Sequence, residues 1–193
     1  MKKIFLVLLF LLLTFLDAYS YAHTIQNEIS NNVIRLHIIA NSDTSFDQEL
    51  KLKVRDSILE FMKQKNYTNL ENAFSSITNS IEDIKIVAKK TLIENGCFDN
   101  VEVELGEFYF PAKNYDSLSF PAGMYNALRI KIGNAAGKNW WCVMYPTLCF
   151  SGASVSSTNA SNDLKNSLSE DSFSVITQDC KLKFKIVDFF NTL

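Results

Sequence analysis

Few side chains in this 193-residue chain are of types that do chemistry. The histidines are His23 and His37, the cysteines Cys97, Cys142, Cys149 and Cys180. A Cys–His nucleophile needs a thiol beside the imidazole and a third group to orient it. No spacing here brings a cysteine to His37. It stands in a β-branched run, V-I-R-L-H-I-I-A over 33–40, and reads as a satisfied structural histidine. Glu102 and Glu104 are two residues apart, so they share a strand face. Paired carboxylates can hydrolyse glycosides, but alternation with Val101, Val103 and Leu105 explains these as the wet side of a strand. Asp43 and Asp47 flank a helix start, where acids interact favourably with the helix dipole. There is no CxxC, HExxH, GxSxG, GxGxxG or phosphate loop. No catalytic residue, metal site or cofactor is therefore expected. Cys142 and Cys149 are close enough in sequence to form a disulfide, and each reads equally as a small buried hydrophobe.

What remains are side chains that bind. Trp140 and Trp141 are adjacent on a strand and must point to opposite faces. One of them is then free to be an exposed aromatic, a residue type that anchors interfaces, and the residues fit equally well a two-sided sheet that covers both. Net charge is −2, so no basic field argues for nucleic acid.

The elements that position these residues follow from periodicity. Val33 to Ala40 is a buried strand with Arg35 and His37 on one face. Asn41-Ser42-Asp43-Thr44 is a turn, and Ser45-x-x-Gln48 reads as a capping box. Leu50, Val54, Ile58 and Phe61 repeat at helical spacing and give a helix over about 46–65. A second helix opens near Asn69, carries Ala73, Ile77, Ile81, Ile84 and Ala88, and stops at Asn95-Gly96. Alternation then marks strands at 101–105, at 124–132 and at 140–145, the last two reading as a hairpin around Gly133–Lys138. Residues 151–174 are rich in Ser and Asn and poor in large apolar groups. Lys181, Lys183 and Lys185 alternate with Leu182, Phe184 and Ile186, a strand that returns to the sheet. The expected fold is α+β: an N-terminal strand, two amphipathic helices, then a mainly antiparallel sheet with a C-terminal strand.

The N-terminus has the texture of a targeting segment. Lys2 and Lys3 precede an apolar run from Ile4 to Leu16, and Ser20-Tyr21-Ala22 offers small residues at −3 and −1 of a cut before His23. The run reaches roughly 20 Å as a helix, short of a ~30 Å hydrocarbon core. A retained anchor would use Ala18 to Ala22 to complete the span. Residues 1–22 are accordingly a secretory signal or a membrane anchor. Residues 23–32 are a polar spacer, and 33–193 a single α+β domain with a flexible Ser/Asn-rich loop at about 151–178.

Two blocks, I-R-L-H-I-I-A-N-S-D (34–43) and D-Q-E-L-K-L-K-V-R-D (47–56), resemble the stage II sporulation protein R family of endospore-forming bacteria. So do F-P-A-G-M-Y-N-A-L-R-I-K-I-G (120–133) and G-K-N-W-W-C-V-M-Y-P-T-L-C-F (137–150). The likeness covers nearly all of 33–150 and the terminal L-K-F-K-I. The resemblance implies a protein made in the forespore and exported across its membrane into the space before the mother cell. There it would activate a membrane-embedded aspartic protease of the mother-cell membrane, which cleaves the pro-sequence of sigma E. Partner-contact residues expected from type and motif are Arg35, His37, Asn41, Asp43, Tyr125, Arg129, Trp140 and Trp141. Two other functions fit the residues alone. A secreted hydrolase of wall material or peptides would need His37, Cys142 or a carboxylate pair in one cleft. A wall-binding module would use the exposed aromatic.

Overall fold

The computed structural model describes residues 2–65, 67–115, 118–146, 148–149 and 158–177. Its elements are α1 (Lys2–Asn31), β1 (Ile34–Ile39), α2 (Ser45–Lys63), α3 (Leu70–Asn79), α4 (Ile81–Glu94), β2 (Val101–Phe110), β3 (Lys113–Tyr115), β4 (Leu118–Phe120), β5 (Gly123–Ile132), β6 (Asn139–Tyr145), α5 (Thr158–Ser167) and α6 (Glu170–Ile176). The fold is mixed α+β. Four strands form one sheet in the order β2-β5-β1-β6, and β3-β4 form a separate ribbon. β1 runs parallel to β5 and antiparallel to β6, and β2 is antiparallel to β5. The expected C-terminal strand lies outside the described residues.

β1 is central, so both of its faces must be covered, and strand alternation decides what covers each. Ile34, Leu36 and Ile38 point to one layer, where Leu128 and Ile130 of β5 and Val101 of β2 join them. The helices close this layer with Leu50, Val54, Ile58 and Met62 of α2, Ala73 and Ile77 of α3, and Ile84, Ala88 and Leu92 of α4. Burying each large side chain contributes about 1.5–3 kcal/mol, so this layer is the main hydrophobic store of the fold. The opposite face carries Arg35 and His37. Half of it is roofed by the end of α1, the β3-β4 ribbon, α5 and α6, through Ile25, Ile29, Leu118, Phe120, Leu164, Leu168 and Ile176.

Five sequence expectations change. β5 and β6 are not a hairpin, because β1 lies between them. The loop Gly133–Lys138 therefore crosses the end of β1 and is stitched to it. Asn134 N–H donates to Asn41 Oδ1 at 2.9 Å and Lys138 N–H to Asp43 Oδ1 at 2.6 Å. Ala136 and Gly137 N–H donate to the carbonyls of Asn41 and Ala40. A Cβ on Gly137 would fall 2.2 Å from the Ser42 carbonyl oxygen, so the crossing demands glycine there. The α2 cap is Thr44, one residue earlier than expected, its hydroxyl accepting from Asp47 N–H. The helix expected over about 69–95 breaks at Ser80 (φ −104°, ψ 4°), and the apolar stripe continues in phase across the break.

The last two changes concern the ends of the domain. Residues 23–31 are no spacer: they continue α1, and Ile25 and Ile29 of this stretch are buried at 7% and 0% exposure. Part of the stretch expected as a flexible loop is helical. α5 and α6 pack Leu164, Leu168 and Ile176 into the second layer. Glu28 of α1 ties them down, its carboxylate accepting from the Ser169 N–H (2.5 Å), the Ser169 hydroxyl and the Ser172 hydroxyl. In a chain beginning at His23, Ile29→Ala should lower stability by about 2–4 kcal/mol, read as a shift of the urea midpoint. An unshifted midpoint would mean that 23–31 is the spacer the sequence suggests.

Candidate docking face

The half of the second sheet face that lies beyond the roof is a ladder of cross-strand neighbours. Register sets Glu104 opposite Arg129, Arg129 opposite His37, and His37 opposite Trp141, one residue from each of the four strands. Such neighbours touch because opposed Cβ atoms are only about 5 Å apart. Arg129 donates to Glu104 Oε2 through Nη2 (2.5 Å) and Nε (3.1 Å), and Lys131 Nζ lies 2.7 Å from Glu104 Oε1. These two cations, Lys131 foremost, hold the Glu104 carboxyl below the usual range. The Arg129 guanidinium also stacks 3.7 Å over the Phe108 ring. The His37 and Trp141 rings are stacked at 3.7 Å, and Phe110 meets both edge-on. His37 Nε2 lies 2.8 Å from Asn139 Oδ1. Arg129, Lys131 and Trp141 are half-buried, while Glu102 and Asn139 are exposed.

Under the roof the same face holds Arg35, with 0% exposure. Its guanidinium is boxed by Phe110 at 4.3 Å, Tyr125 at 4.9 Å, Phe120 at 5.6 Å and Tyr115 at 5.8 Å. Nη2 donates to the Tyr115 hydroxyl at 2.8 Å, and Nε and Nη1 have no partner among the described residues. A buried cation without a counter-ion is costly, and four aromatic faces offset part of that cost. Tyr125 is 1% exposed and donates to the Pro121 carbonyl, burial pushing its phenol up to about 12.

The residues expected at a partner contact therefore separate into four groups. Arg129 and Trp141 lie together on the partly open face, with His37 beneath Trp141 at 6% exposure. Arg35 and Tyr125 are core, because the alternation that pairs them with His37 and Arg129 runs under the roof. Asn41 and Asp43 hold the crossing loop. Trp140 faces the helical layer, its ring 5.2 Å from the Arg55 guanidinium. Sequence reasoning did not weigh Glu104, Lys131 and Phe108 as part of this face. The signal was the match of E-V-E at 102–104 to R-I-K at 129–131.

The geometry separates the groups that hydrolysis would need. Cys142 pairs across from Leu36 on the helical face, so it points away from His37, and it is bonded to Cys149 with Cα atoms 5.7 Å apart. Glu104 is neutralised by Lys131 and Arg129. Burial pushes His37 down to about 4, with Arg129 and Arg35 acting in the same direction against the Asn139 bond. The fold thus takes His37 as neutral imidazole, and the unfolded chain binds the proton first. Stability from this residue is complete above about 6.5 and is lost as pH falls toward 4, at up to about 1.4 kcal/mol per unit. Urea midpoints measured between pH 7 and pH 4.5 should fall in the wild type and stay flatter in His37→Phe. Parallel slopes would contradict a buried neutral imidazole.

The family model for stage II sporulation protein R matches residues 30–155, from the end of α1 past β6. Stage II sporulation protein R of Bacillus subtilis (strain 168) is 40% identical over 124 residues, which cover 63% of this chain and 55% of that protein. The match thus spans about half the length of that relative. No solved structure matches. With more than half of its length matched by the family model, the chain belongs to the stage II sporulation protein R family.

Proposed function

We propose that this protein is an exported signal of endospore formation and that it works by contact rather than by chemistry. It crosses the forespore membrane into the space between forespore and mother cell, either secreted or held by its N-terminus. There it activates a membrane-embedded aspartic protease of the mother-cell membrane, which then cleaves pro-sigma E. Family membership supports the sporulation role. The apolar part of α1 has a mean hydropathy of 2.1 over an 18-residue window, as a signal sequence or membrane anchor does. A Cys142–Cys149 disulfide suits an oxidising compartment outside the cytoplasm.

The observation that carries the contact reading is the half-roofed sheet. One half of the Arg35 face is closed by α1, α5, α6 and the ribbon. The other half presents Trp141, Arg129, Lys131, Glu102 and Asn139. An activator shifts a receptor only by binding its active state better. A shift from 1% to 99% active takes about 5.5 kcal/mol of differential affinity. Aromatic and arginine anchors at the centre of a contact contribute about 2 kcal/mol or more each, so a few of them suffice.

Liposomes carrying the protease and pro-sigma E, treated with the purified chain from His23, should show a rise in pro-sequence cleavage. No rise would sink the function. In the same assay Trp141→Ala and Glu102→Arg, each with wild-type circular dichroism, should raise the half-maximal concentration by about 30-fold, the equivalent of ~2 kcal/mol. Ile86→Ser, on the outer face of α4, should leave it unchanged. Activity lost only with the α4 change would place the contact on the other side of the molecule.

A further inference from the structure

The last turns of α1 are fixed to the start of β5. Ile25 and Ile29 are buried, Gln26 Nε2 donates to the Met124 carbonyl at 3.5 Å, and a Cβ on Gly123 would overlap the Gln26 amide. Just beyond α1, Arg35 stands opposite Ala127 of β5. Moving back along α1 to Gln26 therefore moves along β5 from Ala127 toward Gly123. The helix leaves the domain past the end of the sheet where β5 begins and β2 finishes. Residues 2–22 run on from there, and all are exposed except half-buried Thr14. At the same end of the sheet Tyr109 pairs across from Met124. Both are large and apolar in body, and they are 63% and 48% exposed.

α1 is one helix from Lys2 to Asn31, and the Ser20-Tyr21-Ala22 segment that reads as a cleavage site is inside it. A cut before His23 would require these turns to unwind, and Ile25, Gln26, Glu28 and Ile29 hold the turns that follow. About 20 helical residues fill a ~30 Å hydrocarbon core, which takes the span from Lys3 to Ala22. Lys2 and Lys3 then stand at the inner boundary, as cytoplasmic positive charge does. Asp17 lies toward the outer end, away from the bilayer centre where a carboxylate costs most. Gln26 is four residues beyond Ala22, about 6 Å outside the core, and the headgroup layer is about that deep. Met124 and Tyr109 are thereby brought into this layer beside Tyr21, where an amphipathic tyrosine ring is favoured.

We propose that α1 is kept as a membrane anchor and that the sheet end carrying Tyr109 and Met124 rests on the lipid surface around it. The strands then stand away from the bilayer. Arg129 is five residues along β5 from Met124, about 17 Å, so the face with Arg129 and Trp141 is clear of lipid. This inference rests on the reading of α1 as a signal or anchor and decides between the two. It does not depend on the proposed receptor.

Two measurements on the full chain test it. The protein extracted from the membranes of producing cells should have the mass of the uncut chain, and a mass that begins at His23 overturns the anchor. The full chain is then reconstituted into phosphatidylethanolamine and phosphatidylglycerol vesicles that carry a quencher at the headgroup level. A fluorophore is attached at Tyr109→Cys, Met124→Cys or Phe98→Cys in a Cys97→Ala, Cys180→Ser background, each with wild-type circular dichroism. Phe98 is the control: it is 83% exposed and precedes Val101, which lies about 27 Å along β2 from Tyr109. In floated vesicles the labels at 109 and 124 should lose at least half of their emission, and the label at 98 should keep its own. Equal quenching at the three positions, or quenching at neither 109 nor 124, overturns the seating. Neither measurement contains a receptor, so a failed protease assay leaves both outcomes untouched.

Discussion

The constraint on which this structure depends is that its central strand is buried on both sides while carrying an arginine and a histidine on one of them. β1 has strands at both edges and cannot turn Arg35 or His37 to water by sitting at a margin. Ile34, Leu36 and Ile38 are served by an ordinary aliphatic layer with three helices. Arg35 and His37 cannot be, because burying a polar group without partners costs free energy that packing alone does not return. The second layer is therefore aromatic. Phe110, Tyr115, Phe120 and Tyr125 surround the guanidinium, and Trp141 and Phe110 enclose the imidazole.

That requirement also explains the rest of the second layer. The aromatic box needs a roof, and the roof is gathered from distant parts of the chain: the end of α1, the β3-β4 ribbon, and α5 with α6. Glu28 links the first and last of these through two serine hydroxyls and one backbone N–H, which hold its carboxyl below the usual range against a desolvation that acts the other way. Removal of residues 1–22 would leave all of these contacts in place. Among the described residues the His37 half of the face has no such roof. It is finished instead by ion pairs and by Trp141, and this leaves a partly exposed surface whose charges are already matched within the molecule.

The strands, α2 and the glycine stop after α4 were legible because each writes its own period into consecutive residues. Leu50, Val54 and Ile58 announce a helix, and Arg35 and His37 announce a shared face. The parallel pairing of β1 with β5 was not legible, since it joins residues about 90 apart and leaves no local mark. The hairpin expectation failed for the same reason: nothing in Gly133–Lys138 says whether the loop turns back beside its own strand or steps over another. Residues 23–31 hid their burial because Ile25 and Ile29 are two apolar residues in a polar stretch, enough to dock a helix but too few to show a stripe. In 158–176 the Ser- and Asn-rich composition masked Leu164 and Leu168 at helical spacing and the Ser169 cap. The candidate face was half legible. Residue type singled out Arg129 and Trp141, but only the sheet order shows that Arg35 and Tyr125 lie under a roof and that Trp140 faces the other way.

The central claim is that the partly open sheet face meets a membrane protein outside the cytoplasm. Photo-crosslinking in sporulating cells tests it most directly, with a photoreactive residue placed at Lys131 on that face or at Ile86 on the outer face of α4. The account predicts a covalent adduct with the membrane-embedded protease from position 131 and none from position 86. An adduct from position 86 alone, or from neither position while the protein still supports sigma E activation, would contradict it.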